Sequence, residues 1–326
     1  MNRIRLMLFC IILIGISGCA QQRIDDARTI VVWHWMTDRD EPLKELAERY
    51  HEKTGITVEL LNYAPSESYQ VKVNAAAQTD TLPEIFGVLD KKEVFAKFIR
   101  SGLIENLTPA MNADNQAWLK QFFSRALANN IFEDDNEYDV EPGIYGVPLD
   151  VTNIQMLYNK QLFKKAGLDP GSPPKTFDAF IAAIKKLRDA DIKGMVSGWG
   201  ELWMIDCFAS NYAFNIMGEK KIFDTFRGTV PYTDAGWVKV FSIFETLRDE
   251  KGIYSGIVTM NNKDAEQTFA LGRAAFAFNG SWCVNVYKGM NPDLEYGAML
   301  PPAISTEHQL AIWGGAGSSF MVNAQS

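Results

Sequence analysis

Residues 29–61 constrain the fold more than any other stretch of the chain. Thr29 to Met36 reads TIVVWHWM, a β-branched and aromatic run suited to a buried strand. Pro42 stands where a helix can open. Leu43, Leu46, Ala47 and Tyr50 then recur at the i, i+3, i+4, i+7 spacing that gathers apolar side chains on one helical face. Gly55 supplies the C-terminal cap, and Ile56 to Leu61 forms the next strand. Strand, helix and strand in direct succession make a βαβ unit, which implies parallel pairing through a right-handed crossover.

The alternation persists along the chain. Ser68 to Gln78 is predicted helical, Glu84 to Leu89 (EIFGVL) a strand, and Val94, Phe95 and Phe98 mark a helix ending near Gly102. Asn115 to Ala128 reads as a further helix, and the acidic run from Glu133 to Glu141 as a solvated loop. A second unit starts near Val147, with a strand over Val151 to Tyr158 and a short helix from Lys160 capped by Gly167. Thr176 is placed to cap a helix whose face is Phe177, Phe180, Ile181, Ile184 and Leu187. Trp237, Val240, Phe241, Phe244 and Leu247 make another apolar stripe, and Ala274 to Phe278 a strand closed by Asn279-Gly280. The pattern predicts an α/β protein of two lobes, each a mostly parallel sheet flanked by helices. In such sheets ligands lie beyond the carboxyl ends of the strands.

The amino terminus reads differently. Arg3 and Arg5 precede the apolar stretch Leu6 to Gly18, which falls short of the roughly 20 residues a spanning helix needs. Ile16-Ser17-Gly18-Cys19 resembles a bacterial lipobox, so residues 1–18 are expected to be a lipoprotein signal peptide and Cys19 the acylated residue. Residues 19–28 would then be a tether, holding the protein at the extracytoplasmic face of a membrane. Of four cysteines, Cys10 leaves with the signal, and Cys207 and Cys283 remain either as a disulfide or as two buried thiols.

Several chemistries are poorly supported. The net charge of −8, more acidic once Arg3 and Arg5 are lost, argues against nucleic acid as a partner. With only His34, His51 and His308 and no CxxC, neither a metal site nor a histidine-based triad is indicated. Gly314-Gly315-Ala316-Gly317 is not a dinucleotide fingerprint, and no GK[ST] or G-x-S-x-G sequence occurs, so no cofactor is expected.

The tryptophans carry the positive signal. Trp33, Trp118 and Trp237 sit in strand or helix patterns and read as packing, whereas Trp35, Trp199, Trp203, Trp282 and Trp313 fall at strand ends or in loops. Asp38, Glu201 and Asn279 stand close to them in sequence. Aromatic faces stack on the C–H face of a pyranose while carboxylates and amides accept or donate to its hydroxyls, so the set points to a carbohydrate cleft. A secreted glycosidase is the alternative, because Asp38, Asp90, Asp150, Glu201 and Asp206 could supply two carboxyls, which must stand roughly 5–10 Å apart. A third reading is capture of a non-sugar solute such as a polyamine or phosphodiester.

The stretches VVWHWMTD, LYNKQLFKKAGL followed by PPKTF, FALGRAAFAFNGSW and WGGAGSSFMV occur in that order. Together they resemble the solute-binding lipoproteins of bacterial sugar ABC importers, the family that includes maltose-binding protein. The resemblance implies a monomer that binds sugar between lobes spanning 29–149 and 150–313, delivers it to membrane permease subunits, and performs no catalysis. It places Trp282 on the family's stacking aromatic and Asp90 on the carboxylate after the PEIF strand. Trp35 and Asp38 fall in the first binding loop, Thr152 and Asn153 in the strand leaving the first lobe, and Trp199 to Trp203 in the second lobe's wall. Trp313 precedes the glycines that open residues 314–326, the start of a crossover back to the first lobe. The family's chain continues beyond that point, which implies that about a quarter of a family member is absent here.

Overall fold

A computed structural model describes residues 28–89 and 92–326; the signal segment, Cys19 and Asp90 lie outside the described residues. The first lobe opens with β1 (Thr29–His34), α1 (Asp40–Thr54) and β2 (Thr57–Asn62), and β1 pairs β2 in parallel from Thr29↔Thr57 to His34↔Asn62. Next come α2 (Ser66–Gln78), β3 (Ile85–Gly87) and α3 (Lys92–Arg100), with β3 parallel to the other side of β1. Short elements follow: α4 (Thr108–Gln116), α5 (Ser124–Leu127), β4 (Ile131–Phe132), β5 (Gly143–Ile144) and β6 (Val147–Pro148). Tyr69, Val73, Phe86, Phe95, Phe98 and Phe132 fill this lobe's core.

The second lobe is built on β7 (Val151–Asn159), followed by α6 (Lys160–Lys165), α7 (Phe177–Asp189), β8 (Met195–Val196), α8 (Leu202–Phe226) and α9 (Ala235–Asp249). Then come α10 (Asn262–Ala270), β9 (Phe276–Gly280), α11 (Cys283–Met290) and β10 (Tyr296–Met299). Thr176 caps α7 as its position predicts, its hydroxyl oxygen accepting from the Ala179 N–H at 3.3 Å. Two further strands follow. β11 (Gly314–Ala316) runs antiparallel beside β7, and β12 (Ser319–Val322) enters the first sheet between β3 and β6. The chain therefore crosses twice between the sheets, and the two crossings lie side by side at Asn153↔Gly314, Thr152↔Gly315 and Val151↔Ala316.

The sheets are less parallel than predicted. Only β1–β2, β1–β3 and β8–β9 are parallel, while β7 pairs antiparallel with β9, β10 and β11. Local βαβ periodicity sets the direction of neighbouring strands, but β7 and β12 arrive from the opposite lobe and their direction is set by the crossing. The predicted apolar face of α1 is only partly covered: Leu43 and Ala47 are half-buried, none of its side chains is fully buried, and Leu46 is 55% exposed. The helix starts two residues before Pro42, with Asp40 and Glu41 on the electropositive first turn. The helix predicted over Asn115–Ala128 is broken, because Asp114 and Asn115 take left-handed conformations.

Two buried groups give testable behaviour. Cys207 and Cys283 are both free and buried, and burial pushes each thiol up to about 12. Since the thiolate is the nucleophile, iodoacetamide at pH 8 is expected to leave both unmodified in the native protein and to alkylate both after denaturation. Peptide mass mapping reads the result, and rapid native alkylation would contradict it.

His34 is buried on β1 with Nε2 3.4 Å from the Asp40 carboxylate. Neither ring nitrogen has a hydrogen-bond partner among the described residues. Burial lowers its pKa, only partly opposed by Asp40, with Lys44 adding to the fall. The unfolded imidazole binds a proton below about 6.5 while the native one resists it, so stability falls as pH drops through that range, by at most about 1.4 kcal/mol per pH unit. Urea midpoints at pH 7 and pH 5.5 are expected to show this decline, and His34→Gln to reduce it. An identical decline in the variant would assign it elsewhere.

Candidate functional site

The turn after β9 organises the site. Trp282 sits at the N-cap of α11, and its ring folds back over Gly280, where a Cβ would overlap the indole. Only glycine leaves that space. Trp203, on the first turn of α8, lies 5.9 Å from Trp282 with the ring planes inclined by 54°. Each indole N–H is held from behind by a carboxylate. Trp203 donates to Glu201 Oε2 at 2.8 Å, and Trp282 donates to Glu266 Oε1 at 2.8 Å.

Glu201 is itself buried and closed off. Its Oε1 accepts from the Asn262 backbone N–H at 2.7 Å, and its Oε2 also accepts from Ser66 Oγ at 2.8 Å. Ser66 begins α2, so this carboxylate joins the two lobes beside the aromatic pair. Asn279 is buried too, donating to Glu266 and, at 3.2 Å, to the Tyr287 hydroxyl. Both residues were expected as hydrogen-bond partners of a ligand; the structure commits them to protein partners behind the tryptophans.

On the first lobe, Trp35 packs across Gly87 and against Tyr69, with centroids 5.0 Å apart. Asp38 pairs with Arg39 Nε at 3.1 Å, and the same guanidinium bridges to Asp150 and, at 3.1 Å, to Ser318 Oγ. Arg39 thereby ties the loop after β1 to both crossings. Thr152 and Asn153 lie on β7 within the crossing, and Asn153 exchanges hydrogen bonds with Ser281: its N–H donates to Ser281 Oγ at 3.3 Å and its carbonyl accepts from the Ser281 N–H at 2.8 Å.

Two expected residues fall elsewhere. Trp199 is 4% exposed and packs on Phe208 and Phe244 in the second lobe's core, because it precedes α8 and points inward while Trp203 does not. Trp313 is exposed, on the opposite edge of β7 from the Ser281–Trp282 turn. It lines a separate open cavity of about 380 Å³ together with Asn129, Asn211 and Phe214. Ser66, Asn262 and Glu266 were not singled out from sequence; each is an ordinary polar residue with at least one partner 13 or more positions away, as in Glu266 with Asn279, Ser66 with Glu201 and Asn262 with Glu201.

Among the described residues no group of three or more His, Cys, Asp or Glu could hold a metal ion. No described helix is long and apolar enough to cross a membrane.

A family model for bacterial extracellular solute-binding proteins matches residues 33–326. The chain is 20% identical over 301 residues to the multiple sugar-binding protein of Streptococcus mutans, covering 91% of this chain and 67% of that protein. It is 31% identical over 109 residues to the sn-glycerol-3-phosphate-binding periplasmic protein of Salmonella typhimurium, covering 33% of this chain and 25% of that one. Among solved structures, a solute-binding protein of an ABC transporter from Thermotoga lettingae, bound with α-D-tagatose, superposes with a TM-score of 0.77 at 21% identity. That match covers 92% of this chain and 74% of the other.

Proposed function

The chain belongs to the bacterial extracellular solute-binding proteins, and from that premise we propose that it captures a carbohydrate between its lobes for delivery to the permease of an ABC importer. The observation that carries this reading is the inclined Trp203–Trp282 pair. With both N–H groups consumed, the rings offer only their faces, and a π face matches the C–H face of a sugar ring. The names of the multiple sugar-binding protein and of the tagatose-bound structure point the same way, while the relative named for sn-glycerol-3-phosphate supplies the competing ligand class.

Capture is favoured over hydrolysis by the state of the carboxylates. Glu201 and Glu266 are both buried and saturated by protein donors, so neither is placed to protonate a leaving group or activate water. The protein acts outside the cytoplasm as a monomer, held to the membrane through lipid on Cys19 and in contact with the permease. Membrane fractionation of a Cys19→Ala chain tests the anchor, which fails if the variant remains membrane-bound.

Titration calorimetry against raffinose, maltose, xylobiose, chitobiose, α-D-tagatose and sn-glycerol-3-phosphate tests the ligand class. Saturable binding of at least one sugar without new reducing ends is expected. Binding of the phosphate alone would overturn the carbohydrate reading, and release of reducing ends would establish the glycosidase instead.

A further inference from the structure

We propose that Glu266 is a positioning residue for Trp282, a buried carboxylate that fixes the ring by its N–H edge. Glu266 lies on α10 and is fully buried. Its Oε1 receives Trp282 Nε1 at 2.8 Å, Asn262 Nδ2 at 2.9 Å and Asn279 Nδ2 at 3.3 Å, and its Oε2 receives Lys263 Nζ at 3.1 Å. Four donors thus converge on this buried carboxylate and satisfy both of its oxygens. A tryptophan's terminal torsion is broad, so its ring plane needs an outside restraint. Gly280 supports one face of the ring, and the carboxylate fixes its edge. Rotating the indole away would break that bond and leave the part-buried indole N–H without its acceptor.

The arrangement is duplicated. Asn262 gives its backbone N–H to Glu201 and its side-chain amide to Glu266, so one residue joins the carboxylates that hold Trp203 and Trp282. The 54° inclination of the two rings is thus held by acceptors that are themselves buried. The effect on affinity rests on the carbohydrate reading above, whereas the tie itself needs no ligand.

The test uses 15N-indole-labelled protein carrying Glu266→Gln or Glu266→Leu, each also combined with Trp282→Phe. The Trp282 Nε1–H resonance, identified by its loss in Trp282→Phe, is expected to shift in Glu266→Gln and further in Glu266→Leu. Titrated with the six compounds above, Glu266→Leu is expected to lose at least fivefold in affinity for any sugar that the unaltered chain binds. Glu266→Gln, which keeps an acceptor, is expected to lose less than twofold. In the Trp282→Phe background neither change should add more than twofold. An unmoved Trp282 resonance overturns the proposal, read in Glu266→Gln alone if Glu266→Leu does not fold. So does an affinity loss that persists in full without the indole N–H. If none of the sugars binds the unaltered chain, the carbohydrate reading fails while the resonance still judges the tie.

Discussion

Trp282→Ala is expected to weaken carbohydrate binding at least tenfold, about 1.4 kcal/mol, in titration calorimetry. The ring is half-buried, pinned at its edge by Glu266 and supported on one face by Gly280, so its orientation is settled before a ligand arrives. Preorganised aromatic surface is worth most in binding because little rotamer freedom remains to be lost. Trp282→Phe keeps a face and is expected to lose less. Trp203→Ala should combine non-additively with Trp282→Ala, since the two rings are in contact at 5.9 Å. An unchanged affinity in a folded Trp282→Ala protein would remove the ring from the site.

Phe208→Ala is expected to lower stability by about 3–5 kcal/mol, read as a shift of the urea midpoint. Phe208 is fully buried on α8 and meets four other rings: Trp199 at 5.1 Å, Tyr212 at 5.2 Å, Phe244 at 5.6 Å and Phe278 at 5.1 Å. Removing it leaves a void bordered by rings on α8, α9 and β9, which cannot all move inward together. Phe208→Leu fills part of that void and should cost less. A loss below about 1 kcal/mol for the alanine variant would mean that the core relaxes freely around the site.

The first βαβ unit was legible in sequence because its pairing is local: Thr29 to Asn62 contains both strands and their helix. β7 could be recognised as a strand, but its partners lie in β9, β10 and β11, more than 100 residues onward, and nothing local encodes their direction. The aromatic pair was legible in part. Trp203 and Trp282 come together, whereas Trp199, four residues before Trp203, turns into the core. Composition marks both as tryptophans near Glu201, and only tertiary packing distinguishes them. Glu201 and Asn279 do stand beside the aromatics, but their hydrogen bonds run to Trp203, Asn262, Glu266 and Tyr287, partners that sequence proximity does not reveal. The apolar stripe of α1 identified a helix correctly without identifying any surface to cover it.

The paired hydrogen bonds between Asn153 and Ser281 have a mechanical consequence. Asn153 belongs to the strand that crosses between the lobes, and Ser281 is the residue immediately before Trp282. Crossing strand and aromatic platform therefore share a peptide-scale linkage. A twist of the crossing would be transmitted through these bonds to the turn that bears the ring, which would gear the attitude of Trp282 to the angle between the lobes.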